Sequence, residues 1–233
     1  MILRSCFITG LFAAVAISTA SFAADVGENA ATVQRPVPRD VPLIIPNYLA
    51  DQDFFQASHT LHDSGRVQQV YNASEFWTGP ILIRGFYWRP CADPTYGFRF
   101  QTVLTNFQVN LSTTSAQADQ LSSTFADNIG PDETVVFQGK TRIASRFKPG
   151  PGNTKQFDIF VRFKHPFFYD PAQGNLLVDI RNFQISGAAF VSEFGGTDGG
   201  SRAVAFDPNA ATADFTDTGV DVIKVVFTRA RNR

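Results

Sequence analysis

From residue 66 onward the chain alternates between apolar and polar positions in short runs. In "QFDIFVRFK", Phe157, Ile159, Val161 and Phe163 fall on one side of an extended backbone, with Asp158, Arg162 and Lys164 on the other. That period of two is the pattern of an antiparallel strand with one buried face. "NFQVNLS" repeats it with Phe107, Val109 and Leu111 inward. "NLLVDIRNF" does so with Leu176, Val178 and Ile180 inward and Leu177, Asp179 and Arg181 on the other face. "PILIRGFYWR" changes parity midway: Ile81 and Ile83 share one side, Phe86 and Trp88 the opposite one. A bulge at Arg84-Gly85 would return all four to the core, and Gly tolerates a bulge's backbone. Further strands are expected near 67–71, 134–143, 188–194, 202–206 and 220–228, separated by Gly, Pro, Asn and Asp. Only "SAQADQLSSTFADNIG" reads as helical, for a turn or two near 117–127. The spacing predicts an all-β fold, a two-sheet antiparallel β-sandwich of jelly-roll-like type.

One stretch, "HPFFYDPAQGNLLVDIRNF", concentrates aromatics, two carboxylates and turn residues. The pattern assigns it to folding. Pro166 is expected to end the strand begun at Phe157. Asp170-Pro171 suits a type I turn, and Gly174 supplies a positive φ before the next strand. The segment then reads as a fold-defining hairpin, with Asp179 and Arg181 as cross-strand partners on the face opposite the core rather than catalysts, so that Asp179→Asn should leave a well-folded protein.

Composition adds location. The first 23 residues carry one early charge, Arg4, an apolar run from Phe7 to Ile17, and small residues at Ser21 and Ala23. This is the tripartite pattern of a secretory signal cleaved after Ala23. Its apolar run is short for a membrane span, so no integral membrane segment is expected after cleavage. Removing Arg4 from 20 basic residues leaves 19 against 21 acidic ones, a net charge of about −2 that invites neither nucleic acid nor an anionic membrane. Cys6 departs with the signal, so Cys91 is alone and is read as a buried or incidental thiol. Residues 24–65 hold four prolines between 36 and 46. They are read as a Pro-rich N-terminal arm, with "PLIIPNYL" docking on a sandwich domain of residues 66–233. Of 24 Phe, three lie in the signal (Phe7, Phe12, Phe22), leaving 21 large flat side chains to fill the core.

The pieces "VQQVYNASEF", "GPILIRGFYWR", "QVNLSTTSAQADQLSSTFADNIGPDETVVFQG" and "FDIFVRFKHPFFYDPAQGNLLVDIRNF" resemble a group of exported bacterial proteins. Many of its members are β-sandwich surface proteins ending in a PEP-CTERM sorting tail. The resemblance spans most of residues 67–190 and implies fold and export while saying nothing of activity. The chain ends "VDVIKVVFTRARNR" with neither a Pro-Glu-Pro signal nor a hydrophobic tail, which makes secretion or periplasmic residence the expectation rather than anchoring.

Four constellations could carry chemistry. "HTLHD" places His59, His62 and Asp63 within one turn, a spacing suited to a transition metal or to a solvated loop. "FADNIGPDETV" gathers Asp127, Asn128, Asp132 and Glu133, hard oxygen donors of the kind Ca²⁺ takes; the alternative is that they cap turns. Tyr87, Tyr96 and Trp77 flank predicted strands and are candidates for stacking against a glycan, while Trp88 points inward. "SEFGGTDGGSR" lacks both phosphate-loop and dinucleotide spacing and reads as a wide turn. No nucleophile elbow, zinc-protease helix or Cys-His signature occurs, and no catalytic residue is nominated. The expectation is a non-enzymatic module binding an extracellular glycan or cell-surface component. The alternative is a secreted glycan-active hydrolase whose carboxylates converge only in the fold.

Overall fold

The computed structural model describes residues 42–76, 78–196 and 199–230; the signal sequence and its cleavage site lie outside them. In chain order the strands are β1 (Leu43–Ile45), β2 (Gln56–Ser58), β3 (Gly65–Tyr71), β4 (Ile81–Trp88), β5 (Phe100–Thr114), β6 (Thr134–Ser145), β7 (Ile159–Tyr169), β8 (Asn175–Asn182), β9 (Val191–Gly195), β10 (Gly200–Ala205), β11 (Phe215–Asp217), β12 (Gly219–Asp221) and β13 (Ile223–Arg229). They form a four-stranded sheet ordered β1-β13-β4-β7, a six-stranded sheet ordered β11-β10-β3-β8-β5-β6, and a small sheet ordered β12-β9-β2. Every pairing is antiparallel. The fold is the expected all-β sandwich. Its two large sheets bury one shared core, in which Ile81, Ile83, Phe86 and Trp88 of β4 meet Phe107, Val109 and Leu111 of β5 and Leu176, Val178 and Ile180 of β8. Removing a ring such as Phe107 from water contributes about 2–3 kcal/mol.

The parity argument for β4 holds. Ile81, Ile83, Phe86 and Trp88 are all fully buried, and register shifts between Ile83 and Gly85 and opposite them in β13 leave Arg84 as the extra, exposed residue. Glycine is needed beside it for room rather than for dihedral freedom, because a Cβ at Gly85 would lie 2.6 Å from the Val161 carbonyl oxygen.

The stretch from His165 to Phe183 folds differently from the expected hairpin. β7 belongs to the four-stranded sheet and β8 to the six-stranded one, so the turn between them is an arch that carries the chain across the sandwich. Pro166 lies inside β7, because β7 is an edge strand and its register jumps from Arg162 to Phe167, where no ladder hydrogen bond is required of it. The turn chemistry is as expected: Asp170 accepts from the Ala172 amide at 3.0 Å, and Gly174 sits at φ 150°. A Cβ there would also strike the Thr114 carbonyl oxygen at 2.6 Å.

Residues 42–65, assigned from sequence to the arm, contribute β1 and β2. Leu43, Ile45 and Leu61 are fully buried in the main core, and Ile44 packs on the opposite side with Leu49 and Val222. The helical character expected near 117–127 is a single 3₁₀ turn at Phe125–Asn128, placed where Phe125 packs on Ala203 and Ala205. Among the described residues no helix is long and apolar enough to cross a membrane.

A candidate binding groove between the small sheet and the end of the large one

Strands β3, β10 and β11 form one end of the six-stranded sheet. Their rungs align Gln69, Arg202 and Asp217, then Val67, Val204 and Phe215, on a single face. The four-stranded sheet does not cover this end. The small sheet stands beside it instead, with β2 and β9 contributing Ala57, Ser58 and Glu193, and the turn after β2 contributing His59, Thr60 and Asp63. A groove of about 370 Å³ remains between them.

Arg202 is the centre of its floor. Its Nε and Nη2 donate to the two carboxylate oxygens of Asp217 at 2.9 and 3.1 Å, and its Nη1 donates to Glu193. Burial pushes the Glu193 carboxyl above its ordinary range, while Arg202 draws it back. The guanidinium would lose charge by desolvation alone, but Glu193 and Asp217 more than compensate and hold it firmly protonated.

At the mouth, Asp63 places one carboxylate oxygen on His59 Nδ1 and the other on His62 Nδ1, both at 2.5 Å. Desolvation raises the Asp63 pKa, but the two histidine contacts outweigh it and keep the carboxyl below its usual value. An ionised carboxylate only accepts, so each imidazole donates through Nδ1 and a neutral ring presents Nε2 as an acceptor. Both rings lie on Phe190, at 4.5 and 4.3 Å between centroids.

The opposite lip is aromatic. Phe206 is 68% exposed and Phe215 40%, with centroids 6.1 Å apart. Beneath the floor lies a buried carboxylate, Asp221, that ties three sheets together. Its oxygens accept from Trp88 Nε1 at 3.0 Å and Thr60 Oγ1 at 3.2 Å, its amide donates to Gln69, and its carbonyl accepts from Tyr71.

No family model matches the chain, and no curated protein matches it in sequence.

The residues nominated from sequence are scattered. Trp77 lies outside the described residues. Tyr87, on the outer face of β4, is flanked by the stacked ring of Phe160 at 4.2 Å and by Lys224 Nζ at 4.4 Å. Tyr96 is 42% exposed and meets Phe190 edge-on at 5.7 Å, behind the histidine pair and outside the groove. In the acidic loop each side chain has a protein donor. Asp127 accepts from Ser122 Oγ, Asp132 from the Thr113 amide and Glu133 from Asn110 Nδ2, while buried Asn128 bridges Ser122 and Gln68. A recess of about 410 Å³ beside this loop is lined by Asp127, Asp132 and Asp170. Among the described residues no group of three or more His, Cys, Asp or Glu side chains is placed to hold a metal ion. Cys91 is fully buried, and burial pushes its thiol up to about 12.

Sequence reasoning noted His59, His62 and Asp63 but passed over Glu193, Arg202, Phe206, Phe215 and Asp217. The available signal was the glycine-rich turn itself. Glu193 and Arg202 stand at its two ends, and a turn without phosphate-loop spacing still brings its flanks together.

Proposed function

We propose that the protein is an exported, non-enzymatic β-sandwich module that binds carbohydrate along the groove between β2, β9, β10 and β11. The observation that carries this reading is the solvent-exposed pair Phe206 and Phe215 facing a floor of hydrogen-bonding side chains. Apolar ring faces opposite converging polar groups are what a sugar requires, since it has apolar C–H faces and a rim of hydroxyls. The acceptors Asp63, Asp217 and His59 are positioned to receive hydroxyl hydrogens. The leader-like first 23 residues and the resemblance to exported surface proteins support an extracellular or periplasmic site of action and a cell-surface or matrix glycan as partner.

Calorimetric titration with a panel of oligosaccharides tests this reading. At least one should bind, and Phe206→Ala or Phe215→Ala should weaken it by roughly tenfold each, as loss of a stacking ring would. Absence of binding across the panel, or full affinity in the double variant, would overturn it.

The second reading is glycan hydrolysis, favoured by one observation: Glu193 has a raised pKa and shares the groove with Asp217, the division of roles a glycosidase uses. Binding is preferred because Arg202 engages both carboxylates and leaves neither free to act. Release of reducing ends from a bound oligosaccharide, lost in Glu193→Gln, would establish hydrolysis instead.

A further inference from the structure

If the groove holds a glycan, its charges restrict which one. Three carboxylates line it (Asp63, Glu193 and Asp217) against one permanent cation, Arg202. That cation is already committed, since each of its three nitrogens donates to a carboxylate. The side chains of Asp63 and Asp217 are 36% and 39% exposed, so two of the three carboxylates reach the volume a ligand would fill. The Asp63 carboxylate gives one oxygen to each of its two histidines, and a His59 ring that is neutral keeps Nε2 as an acceptor. The groove therefore offers carboxylate acceptors in excess of its one permanent cation, with an aromatic lip on the far side. A uronate would meet repulsion and find no unpaired guanidinium. A protonated amine on a sugar ring would find carboxylate oxygens on the floor and mouth, and an electron-rich ring face beside it.

We infer that the groove selects amine-bearing glycans, of the deacetylated hexosamine class, over neutral and uronate-bearing ones. This inference rests on the carbohydrate-binding reading above.

The test is a comparison on the full-length exported protein near pH 6, where the sugar amines carry charge. Glucosamine oligomers, their N-acetylated counterparts and uronate oligomers of equal length are titrated in parallel. The amine form should bind about three- to tenfold tighter than the acetylated form, as expected for one partly exposed ion pair. Uronates should bind weakest. Raising salt from about 0.05 M to about 0.5 M should shrink the preference, because screening shortens the reach of exposed charges. Asp217→Asn retains the oxygen that accepts from the Gly219 amide and should narrow the ratio in a protein whose circular dichroism is unchanged. Equal or tighter binding of the acetylated form, a salt-independent ratio, or tightest binding of uronates would overturn the selectivity while leaving glycan binding intact. Failure of all three classes to bind would overturn the glycan reading and this inference with it.

Discussion

Two arginines stand on adjacent strands of the same sheet, on opposite faces, and they do different things. Arg66 of β3 points outward, yet it is buried. Its Nε and Nη2 grip Asp179 at 2.5–3.1 Å, its Nη1 donates to the Ala210 carbonyl at 3.0 Å, and its guanidinium lies 4.2 Å over the Phe125 ring. Gln68 and Asn128 complete the cluster. Arg202 of β10 points inward, toward the side that should be core, yet it meets an open groove and two exposed phenylalanines. Inward and outward are therefore poor guides to burial at this end of the molecule. What decides is which element lies over each face: the 3₁₀ turn at Phe125–Asn128 closes over Arg66, while the small sheet stops short of closing over Arg202. The closed ion pair is shut off from solvent, while the open one borders the groove proposed above to hold a ligand.

The largest expected effect comes from breaking the closed cluster. Asp179→Asn leaves a buried guanidinium without its carboxylate and should lower the unfolding free energy by about 3–5 kcal/mol, dropping Tm by on the order of 10 °C. The structure thereby reverses the sequence-based expectation that this variant is benign. Thermal denaturation followed by circular dichroism decides between the two outcomes. Arg202→Ala strands Glu193 but keeps Asp217 near water, so the loss in denaturant unfolding should be smaller, about 1–3 kcal/mol. If the two variants cost the same, the distinction between closed and open clusters fails.

Phe206→Ala should change stability by less than about 0.5 kcal/mol, because the ring is already in solvent. A much larger loss in urea unfolding would make the ring part of the core instead of a ligand's platform. The smallest expected effect is on pH dependence. The Glu193 carboxyl is raised in the folded state, so its contribution favours folding below its ordinary value of 4.5 and is lost as pH rises through the higher folded value. The Glu193 contribution to stability should therefore grow as the pH falls from neutrality toward 4.5, and Glu193→Gln should remove that part of the pH profile. Asp63 has the opposite sign. Its lowered pKa contributes stability above 3.8 that is lost as the pH falls through its folded value. A Glu193→Gln profile as steep as that of the parent between pH 4.5 and 7 would mean that Glu193 is not the group responsible.

Strand faces were legible in the sequence because parity is local. Phe107, Val109 and Leu111, the four residues around the β4 bulge, and the Gly174 turn all follow from period and turn chemistry within a few residues. Coverage is not local. Alternation placed Leu177, Asp179 and Arg181 on a second face correctly but had no means of showing that a turn some fifty residues earlier would help bury Asp179. The same blindness made a hairpin of residues 165–183, since two consecutive strands read alike whether they pair with each other or with strands of different sheets. The groove was the least legible feature. Its floor comes from β9, β10 and β11 and its mouth from the turn after β2, so residues within each piece are neighbours in sequence while the pieces themselves are not.

The four-stranded sheet carries one more consequence. β13 lies between β1 and β4, pairing Leu43 with Val225 and Trp88 with Ile223. Among the described residues strand β1 has no other partner, so the four-stranded sheet is not complete until Ile223–Arg229 is in place. Folding is thus tied to contacts of long sequence separation, which form slowly. For a protein proposed to be exported, slow closure has a use: a chain whose clasp joins such distant residues stays open longer before it folds.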